Sequence, residues 1–179
     1  MIRHDIFPTP FWHIKGAPQE LVDELYQGAY EFKKRYENVS KSNGGGYQSP
    51  GFKWENFHPQ GIEYIEKVVG DIFKESDGLL HKFKVKEWWY NINGKGHWNH
   101  PHTHPGSDLA LVLYLTESDG LLHLMSPFPQ RIVDRNGDNI GCTVAKRDII
   151  MFPADIVHYV LPNPREEDRI SISMNLQLC

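Results

Sequence analysis

From residue 82 onward, the sequence is a series of short segments with the composition of β-strands, separated by turn residues. Lys82–Asn93 alternates polar and apolar positions and is rich in Val, Trp, Tyr and Phe, which indicates a half-buried strand. Leu109–Thr116 is apolar throughout, as expected for a strand covered on both faces. The pattern predicts a mainly β fold of about eight strands, an antiparallel sandwich or jelly roll. The remaining predicted strands are Leu121–Met125, Ile140–Val144, Ile149–Phe152, Val157–Leu161 and Ile170–Leu178.

Two helices are predicted before these strands. Pro18 begins the first, whose apolar residues recur at helical spacing. The second runs from about Pro59 to about Asp77 and has a similar apolar stripe. We therefore expect a single domain. Its N-terminal part (1–79) would contain an edge strand and both helices, packed on one sheet of a jelly-roll core (80–179).

Composition and charge argue against several classes of protein. The formal net charge of −4 is not that of a general nucleic-acid binder. No signal peptide is visible and no apolar run has the length of a membrane span, so we expect no membrane partner. Cys142 and Cys179 are far apart and do not suggest a disulfide framework, so we expect a reducing, cytoplasmic location.

The glycine-rich stretch Ser42–Gly51 resembles a phosphate-binding loop only superficially. Such a loop requires a strand before it, a helix directly after it and usually a lysine. The sequence supplies none of these, so we predict a flexible loop or a pocket lid instead.

Histidine is concentrated in one short segment. Four of the ten histidines lie between His97 and His104. Side chains alternate along an extended strand, so His100, His102 and His104 would face the same way. Converging neutral imidazoles could form part of a zinc or iron site. We expect His100 to lie outside the metal shell, since one short strand rarely aims three successive side chains at one centre. The alternative is a surface turn that happens to be rich in histidine.

Two features near the C-terminus could complete such a site. His158 lies in an apolar segment, where a lone histidine is more often a core residue than a ligand. However, the early and late strands of a jelly roll can meet at one mouth. The last strand alternates cleanly and places Arg169 and Ser171 on its polar face, where a guanidinium and a hydroxyl could clamp a carboxylate. The alternative is that this face lies in solvent.

These residues give the sequence a resemblance to the iron(II)- and 2-oxoglutarate-dependent oxygenase superfamily. The shared order is His-x-His at 102–104, a distant His158 and Arg-x-Ser at 169–171. More closely, the sequence resembles a small 2OG-Fe(II) oxygenase family of marine bacteria and their phages. The matching motifs span nearly the whole chain: Phe7-Pro8-Thr9-Pro10, Gly45-Gly46-Tyr47-Gln48-Ser49, Trp89-Tyr90-Asn91, His102-Thr103-His104-Pro105-Gly106-Ser107, Val112-Leu113-Tyr114-Leu115, Phe152-Pro153, His158-Tyr159-Val160 and Arg169-Ile170-Ser171.

The resemblance implies a double-stranded β-helix, a cupin-like jelly roll with Fe(II) at its open mouth. The implied metal ligands are His102, His104 and His158. The implied 2-oxoglutarate-binding residues are Arg169, Ser171, Asn91 and Tyr114. The implied reaction couples decarboxylation of 2-oxoglutarate to succinate with hydroxylation of an unidentified small-molecule or protein substrate. Ascorbate would serve as reductant in vitro, and a homodimer is compatible with the resemblance.

The sequence departs from this pattern at the presumed site. His104 stands where the superfamily has Asp or Glu, so the site has three histidines, or two protein ligands and water. Ala110 and Leu111 replace an expected Ser-Gly pair, and Ser126 replaces an expected Asp. We expect these changes to lie near the pocket and to affect activity.

Two other classes of protein remain open from the sequence. One is a cupin-like metalloprotein that does not use 2-oxoglutarate, such as an isomerase or a thiol dioxygenase, for which three histidines are normal. The other is a metal-free structural or ligand-binding jelly roll. The orientation of Arg169 distinguishes the oxygenase from both, because only the oxygenase requires that residue to face inward.

Overall fold

The computed structural model of the chain describes residues 9–75, 82–118, 121–127 and 139–179. Helices α1 (Gln19–Arg35) and α2 (Pro59–Glu75) flank a short 3₁₀ helix (Trp54–Asn56). The strands of the described residues are β1 (Trp12–Ile14), β2 (Asn43–Gly44), β3 (Tyr47–Gln48), β4 (Phe83–Asn93), β5 (Trp98–His102), β6 (Leu109–Tyr114), β7 (Leu122–Met125), β8 (Asn139–Cys142), β9 (Ile149–Pro153), β10 (His158–Val160) and β11 (Arg169–Leu178).

The strands form two sheets in which neighbours are antiparallel. The larger sheet has the order β1-β9-β6-β11-β4-β3, and the smaller has the order β2-β5-β10-β7-β8. From β4 onward, successive strands lie alternately in the two sheets, except that β7 and β8 pair with each other in the smaller sheet. This is the arrangement of a double-stranded β-helix. The predicted mainly β jelly roll is confirmed, and the first strand lies at a sheet edge as expected.

The helices cover one face of the larger sheet. On that face β11 places Ile170, Ile172 and Met174, none of which is exposed to solvent. The opposite, polar face of β11 is buried as well, because it lies between the two sheets. The alternative of a solvent-exposed polar face is therefore wrong. The helix residues of this core are Leu21, Val22, Leu25, Ala29, Ile65, Val69 and Phe73.

Ser42–Gly51 is more ordered than the sequence predicted. Its first half, β2, pairs with β5 of the smaller sheet, and its second half, β3, pairs with β4 of the larger sheet. The turn between them requires glycine at position 46, since a Cβ there would lie 1.9 Å from Asn93 Oδ1. The prediction of an unpaired loop is wrong, because the segment forms two short strands that join the two sheets. Ser42 and Gln48 line a cleft between the sheets, so the predicted contact with a pocket is present, whereas the predicted role as a lid stays a prediction.

A β-bulge in β5 changes the orientation of the histidine segment. His158 of β10 is paired with His102, whereas Val160 is paired with Asn99. Three steps along β5 therefore match two along β10, and the extra residue falls near His100, just before a proline that has no N–H to donate. Asn99 and His102 both line the space between the sheets, while His100 is exposed. The expectation that His100 faces the same way as His102 is wrong.

Two predictions from composition can also be compared with the structure. Within the described ranges, neither helix has the combination of length and apolarity that a membrane span needs. Both cysteines are free: Cys142 is buried and Cys179 is exposed.

Candidate metal centre

Three histidines converge between the sheets, near the open end of the roll. The nitrogen atoms that His102, His104 and His158 could offer to a metal lie within 4.8 Å of one another. Nε2 of His104 and Nε2 of His158 are 3.1 Å apart. Metal–nitrogen bonds near 2.1 Å require spacings of about 3.5 Å, so the widest pair would have to close by about 1.3 Å. We call these residues the histidine cluster; in the described part of the chain it contains no carboxylate.

Backbone contacts hold the three residues together. His102 at the end of β5 and His158 at the start of β10 are direct partners across the strand pair. His104 lies just beyond β5, where its backbone N–H donates to the carbonyl of Ala154 at 2.8 Å. The indole of Trp89 stacks on the His104 ring with a centroid distance of 5.6 Å. Residues distant in sequence are thereby fixed around one point.

Hydrogen bonds to backbone carbonyls orient two of the rings. Nδ1 of His102 lies 2.6 Å from the carbonyl oxygen of His100, and Nδ1 of His158 lies 2.9 Å from that of Ile156. A carbonyl oxygen can only accept, so each Nδ1 must carry the proton. The Nε2 lone pair of each ring then faces the cluster, the usual arrangement of metal-binding histidines. That of His158 accepts a hydrogen bond from Nε2–H of His104 at 3.1 Å, a proton that a bound metal ion would replace.

Burial keeps the cluster uncharged. It lowers the pKa of His158 from 6.5 to about 3 and the pKa of His104 to about 4, and neighbouring histidines add to both shifts. The Asn175 amide partly opposes the shift of His104. Burial also lowers the pKa of His102. Neutral imidazole is the form that binds metal, so all three rings are ready to bind at neutral pH.

A second group of polar residues lies deeper in the same space. The cavity beside the cluster, which we call the inner cavity, has a volume of about 50 Å³ and is lined by all four residues predicted to bind 2-oxoglutarate. Its wall also contains Ala110 and Leu111, as expected for two of the departures from the family pattern. Ser126 instead lines a separate apolar groove, so its predicted position near the pocket is wrong. The four predicted residues are Asn91, Tyr114, Arg169 and Ser171.

Arg169 is a buried cation without an anionic partner. Its side chain is 5% exposed, and Nη1 donates to the carbonyl oxygen of Leu161 at 3.3 Å. In the described part of the chain, no carboxylate lies within 4.0 Å of its guanidinium. Burial lowers the pKa of Arg169 to about 10, so the group still carries its charge at neutral pH. A buried, unpaired charge costs several kcal/mol, so the position favours an anionic ligand.

Neighbouring strands place the other polar groups around Arg169. Ser171 is paired with Tyr114 on one side and with Asn91 on the other. The Asn91 amide donates to the hydroxyl of Ser173 at 2.9 Å. The inner cavity can therefore offer a guanidinium and hydroxyl groups to a carboxylate.

Three residues at the mouth of the site were not predicted from the sequence to be site residues. Trp89, Glu87 and Asn175 all line an outer cleft that also contains His102 and His104. Asn175 shares the inward face of β11 with Arg169, so strand alternation could have found it. Glu87 and Trp89 precede Asn91 by four and two positions in β4 and share its inward face, so the same alternation could have found them.

Comparison with known proteins gives a family and a fold. The family model described as "Putative 2OG-Fe(II) oxygenase" matches residues 87–175. A prolyl-4-hydroxylase from Pseudomonas putida is 16% identical with a TM-score of 0.67, over 94% of this chain and 92% of that one. The viral collagen prolyl hydroxylase of Paramecium Bursaria Chlorella virus-1, solved with 2OG, is 15% identical with a TM-score of 0.67, over 93% and 94% of the two chains. No curated protein matches the sequence.

A further similar structure was solved with a metal and the co-substrate bound. HygX from Streptomyces hygroscopicus, with nickel and 2-oxoglutarate bound, is 12% identical with a TM-score of 0.65, over 94% of this chain and 83% of that one. At such identities the similarities show a shared fold. Because these matches cover 93% to 94% of this chain, they extend beyond the segment that the family model covers.

The jelly roll, the histidine cluster and the buried arginine together define a non-haem metal oxygenase of the 2-oxoglutarate-dependent class. The chain belongs to the 2OG-Fe(II) oxygenase family whose model it matches, and it is therefore an oxidoreductase that uses Fe(II) and 2-oxoglutarate. The occurrence of this family in marine bacteria and phages stays a prediction.

Proposed function

We propose that the histidine cluster binds Fe(II) through its three imidazoles, and that Arg169, with Ser171, binds the distal carboxylate of 2-oxoglutarate. The observation that supports this most strongly is the uncompensated charge of Arg169 in a cavity shared with the cluster. Neither rival class needs a cation at that position. The donor set fits the metal, since neutral imidazoles bind divalent iron and the backbone already fixes two of the tautomers.

The proposed reaction is hydroxylation of a C–H bond. One oxygen atom of molecular oxygen enters succinate, the other enters the hydroxyl group of the product, and the carboxylate of 2-oxoglutarate next to its keto group leaves as carbon dioxide. Bound iron would supply the activation of oxygen. The chain orients the imidazoles, anchors the co-substrate carboxylate and excludes water with apolar walls at Leu111, Leu122 and Val160.

The experiment that tests the proposal is an anaerobic titration. Fe(II) is added to metal-free protein, followed by 2-oxoglutarate, while the visible metal-to-ligand charge-transfer band is recorded. We expect the band to appear only when both are present, and to be absent with succinate, which lacks the keto group that chelates the metal. Bound iron without a band and without calorimetric heat from 2-oxoglutarate would instead support a three-histidine metalloprotein of the cupin type. Protein that binds no metal would support a structural jelly roll.

We also propose a cytoplasmic location. Both cysteines are free, which is compatible with a reducing compartment. Fractionation of cells expressing the tagged full-length protein tests this, and recovery in a membrane or extracellular fraction would contradict it.

A further inference from the structure

The outer cleft is the natural position for a substrate that reacts at the metal. It has a volume of about 450 Å³, which suits a small molecule or a single extended side chain. His102 and His104 line its inner end, so a ligand bound in it would lie beside the cluster. The chemistry of its remaining walls therefore bears on the class of substrate.

One wall of the cleft presents a carboxylate that has no cation. Glu87 is half-buried at the start of β4, and its Oε1 accepts a hydrogen bond from the Asn175 amide at 2.9 Å. Among the described residues, no lysine, arginine or histidine nitrogen lies within 4.0 Å of this carboxylate. Lys41 also lines the cleft, but its side chain is exposed. The carboxylate is thus held in place by an amide while its charge remains unpaired.

Two amide oxygens beside this carboxylate also lack donors. Asn175 is 7% exposed and Gln48 is 4% exposed, and both line the cleft. Oε1 of Gln48 makes no hydrogen bond. Oδ1 of Asn175 has no donor in hydrogen-bond geometry, although the amide is close enough to His104 to oppose the lowering of its pKa. The orientation of Asn175 is fixed, because its nitrogen is the atom that donates to Glu87. Buried acceptors without donors are unfavourable, so a ligand that supplies N–H groups would be stabilised here.

An aromatic ring and the charge of the metal complex agree with a cationic ligand. The Trp89 indole lines the same cleft, and cations bind favourably over aromatic faces. With three neutral imidazoles, the two positive charges of Fe(II) are balanced by the two negative charges of 2-oxoglutarate. Arg169 leaves the loaded site with one positive charge, which the carboxylate of Glu87 offsets at the cleft.

We propose that the outer cleft binds an ammonium or guanidinium group of a small substrate, held by Glu87 and Asn175 against the face of Trp89. This inference rests on the proposed function, because it makes the cation the part of the substrate that positions a nearby C–H bond at the iron. It assigns Glu87 as the residue that determines substrate class.

The test uses three probes of equal chain length and different charge: pentylammonium, 1-pentanol and pentanoate. Each is titrated calorimetrically into the full-length protein, once metal-free and once loaded anaerobically with Fe(II) and 2-oxoglutarate. We expect pentylammonium to bind at least about tenfold more tightly than the other two in both states, the effect of one charge-assisted hydrogen bond. Glu87→Gln should remove this preference, whereas Glu63→Gln, on the exposed surface of α2, should leave it unchanged.

The charge-transfer band, recorded in the same loaded samples, separates this inference from the proposed function. A band without ammonium preference overturns the cation site alone, as does preference for pentanoate, absence of binding by all three probes, or a preference that survives in Glu87→Gln. Ammonium preference in the metal-free protein without any band overturns the proposed function and leaves the cation site standing.

Discussion

At the scale of the residue, His104 would determine the charge of the proposed metal centre. The usual facial triad of this superfamily contains a carboxylate, which cancels one charge of Fe(II). His104 is neutral, since burial lowers its pKa to about 4. With His104 as a ligand, the centre would retain both positive charges of the metal, and its attraction for the dianionic co-substrate would increase accordingly. Arg169 adds a further positive charge in the inner cavity.

Loss of one imidazole should abolish metal binding. We expect His158→Ala to weaken Fe(II) binding by more than about 100-fold. Mutation of a residue that only hydrogen-bonds to a metal ligand weakens metal binding by at most about 100-fold, so a larger loss indicates a direct ligand. Competition against a chromogenic chelator under nitrogen measures this. His100→Ala is the matched control, because His100 is exposed and outside the cluster, and its Fe(II) affinity should not change. Equal affinities in the two variants would show that the cluster is not the metal site.

Arg169 should matter for the co-substrate and not for the metal. Arg169→Ala should weaken 2-oxoglutarate binding by about 2 to 5 kcal/mol, the range for removing one partner of a buried charge pair. Arg169→Lys should recover only part of this loss, since an ammonium group cannot make the two-pronged contact. Calorimetry in the presence of Fe(II) measures the affinity for 2-oxoglutarate. Competition against a chelator measures the affinity for Fe(II), which should not change. Normal 2-oxoglutarate binding by the Ala variant would remove the main support for the proposed function.

At the scale of the element, the two faces of strand β11 have different roles: one packs in the core and the other lines the inner cavity. The alternation of its sequence was sufficient to predict both faces, because a strand places every second side chain on the same face. The bulge in β5 was not predictable in this way. One extra residue reverses the direction in which all later side chains of the strand face. Pro101, which has no N–H to donate, favours irregular pairing in this region but does not fix the position of the extra residue. The two-residue strands β2 and β3 were missed because they are too short to show any periodicity.

The outward face of β11 should affect stability alone. Ile172 is fully buried between the larger sheet and the helices, so Ile172→Ala should lower the free energy of unfolding by about 2 to 5 kcal/mol. Urea denaturation measures this. Ile140→Ala is the matched control, because Ile140 is 69% exposed in a strand and should cost less than about 0.5 kcal/mol. Fe(II) affinity of the folded Ile172→Ala protein should match that of the wild type. A marked loss would mean that the two faces of β11 are not independent.

At the scale of the whole molecule, the site exists only in the folded chain. His104 and His158 are 54 residues apart in sequence. They meet because β5, which ends just before His104, pairs with β10, which begins at His158. Arg169 comes from the larger sheet. The family and the residues that converge between the sheets were nevertheless predictable, since the order of short motifs survives in the sequence. The outer cleft was not, because it is formed where the start of β4 meets the end of β11 and the segment after β5.

Burial of the cluster should also make the stability of the metal-free protein depend on pH. An unfolded histidine has a pKa of about 6.5, whereas burial lowers the pKa of His104 to about 4 and the pKa of His158 to about 3. Below pH 6.5 the unfolded chain therefore takes up protons that the folded chain does not. The stabilisation is fully present above pH 6.5 and is lost progressively as the pH falls towards the folded values.

The slope of this loss reports how many buried histidines titrate. We expect the free energy of unfolding of chelator-treated protein, measured by urea denaturation, to fall between pH 6.5 and about pH 5, above the range in which most carboxylates titrate. His104→Gln removes one titrating ring, so its slope should be shallower by up to about 1.4 kcal/mol per pH unit. His100→Gln changes an exposed ring and should keep the wild-type slope. If the slope is the same in His104→Gln as in the wild type, then His104 takes up its proton as readily in the folded chain as in the unfolded one. The cluster would then be open to water rather than held neutral by burial.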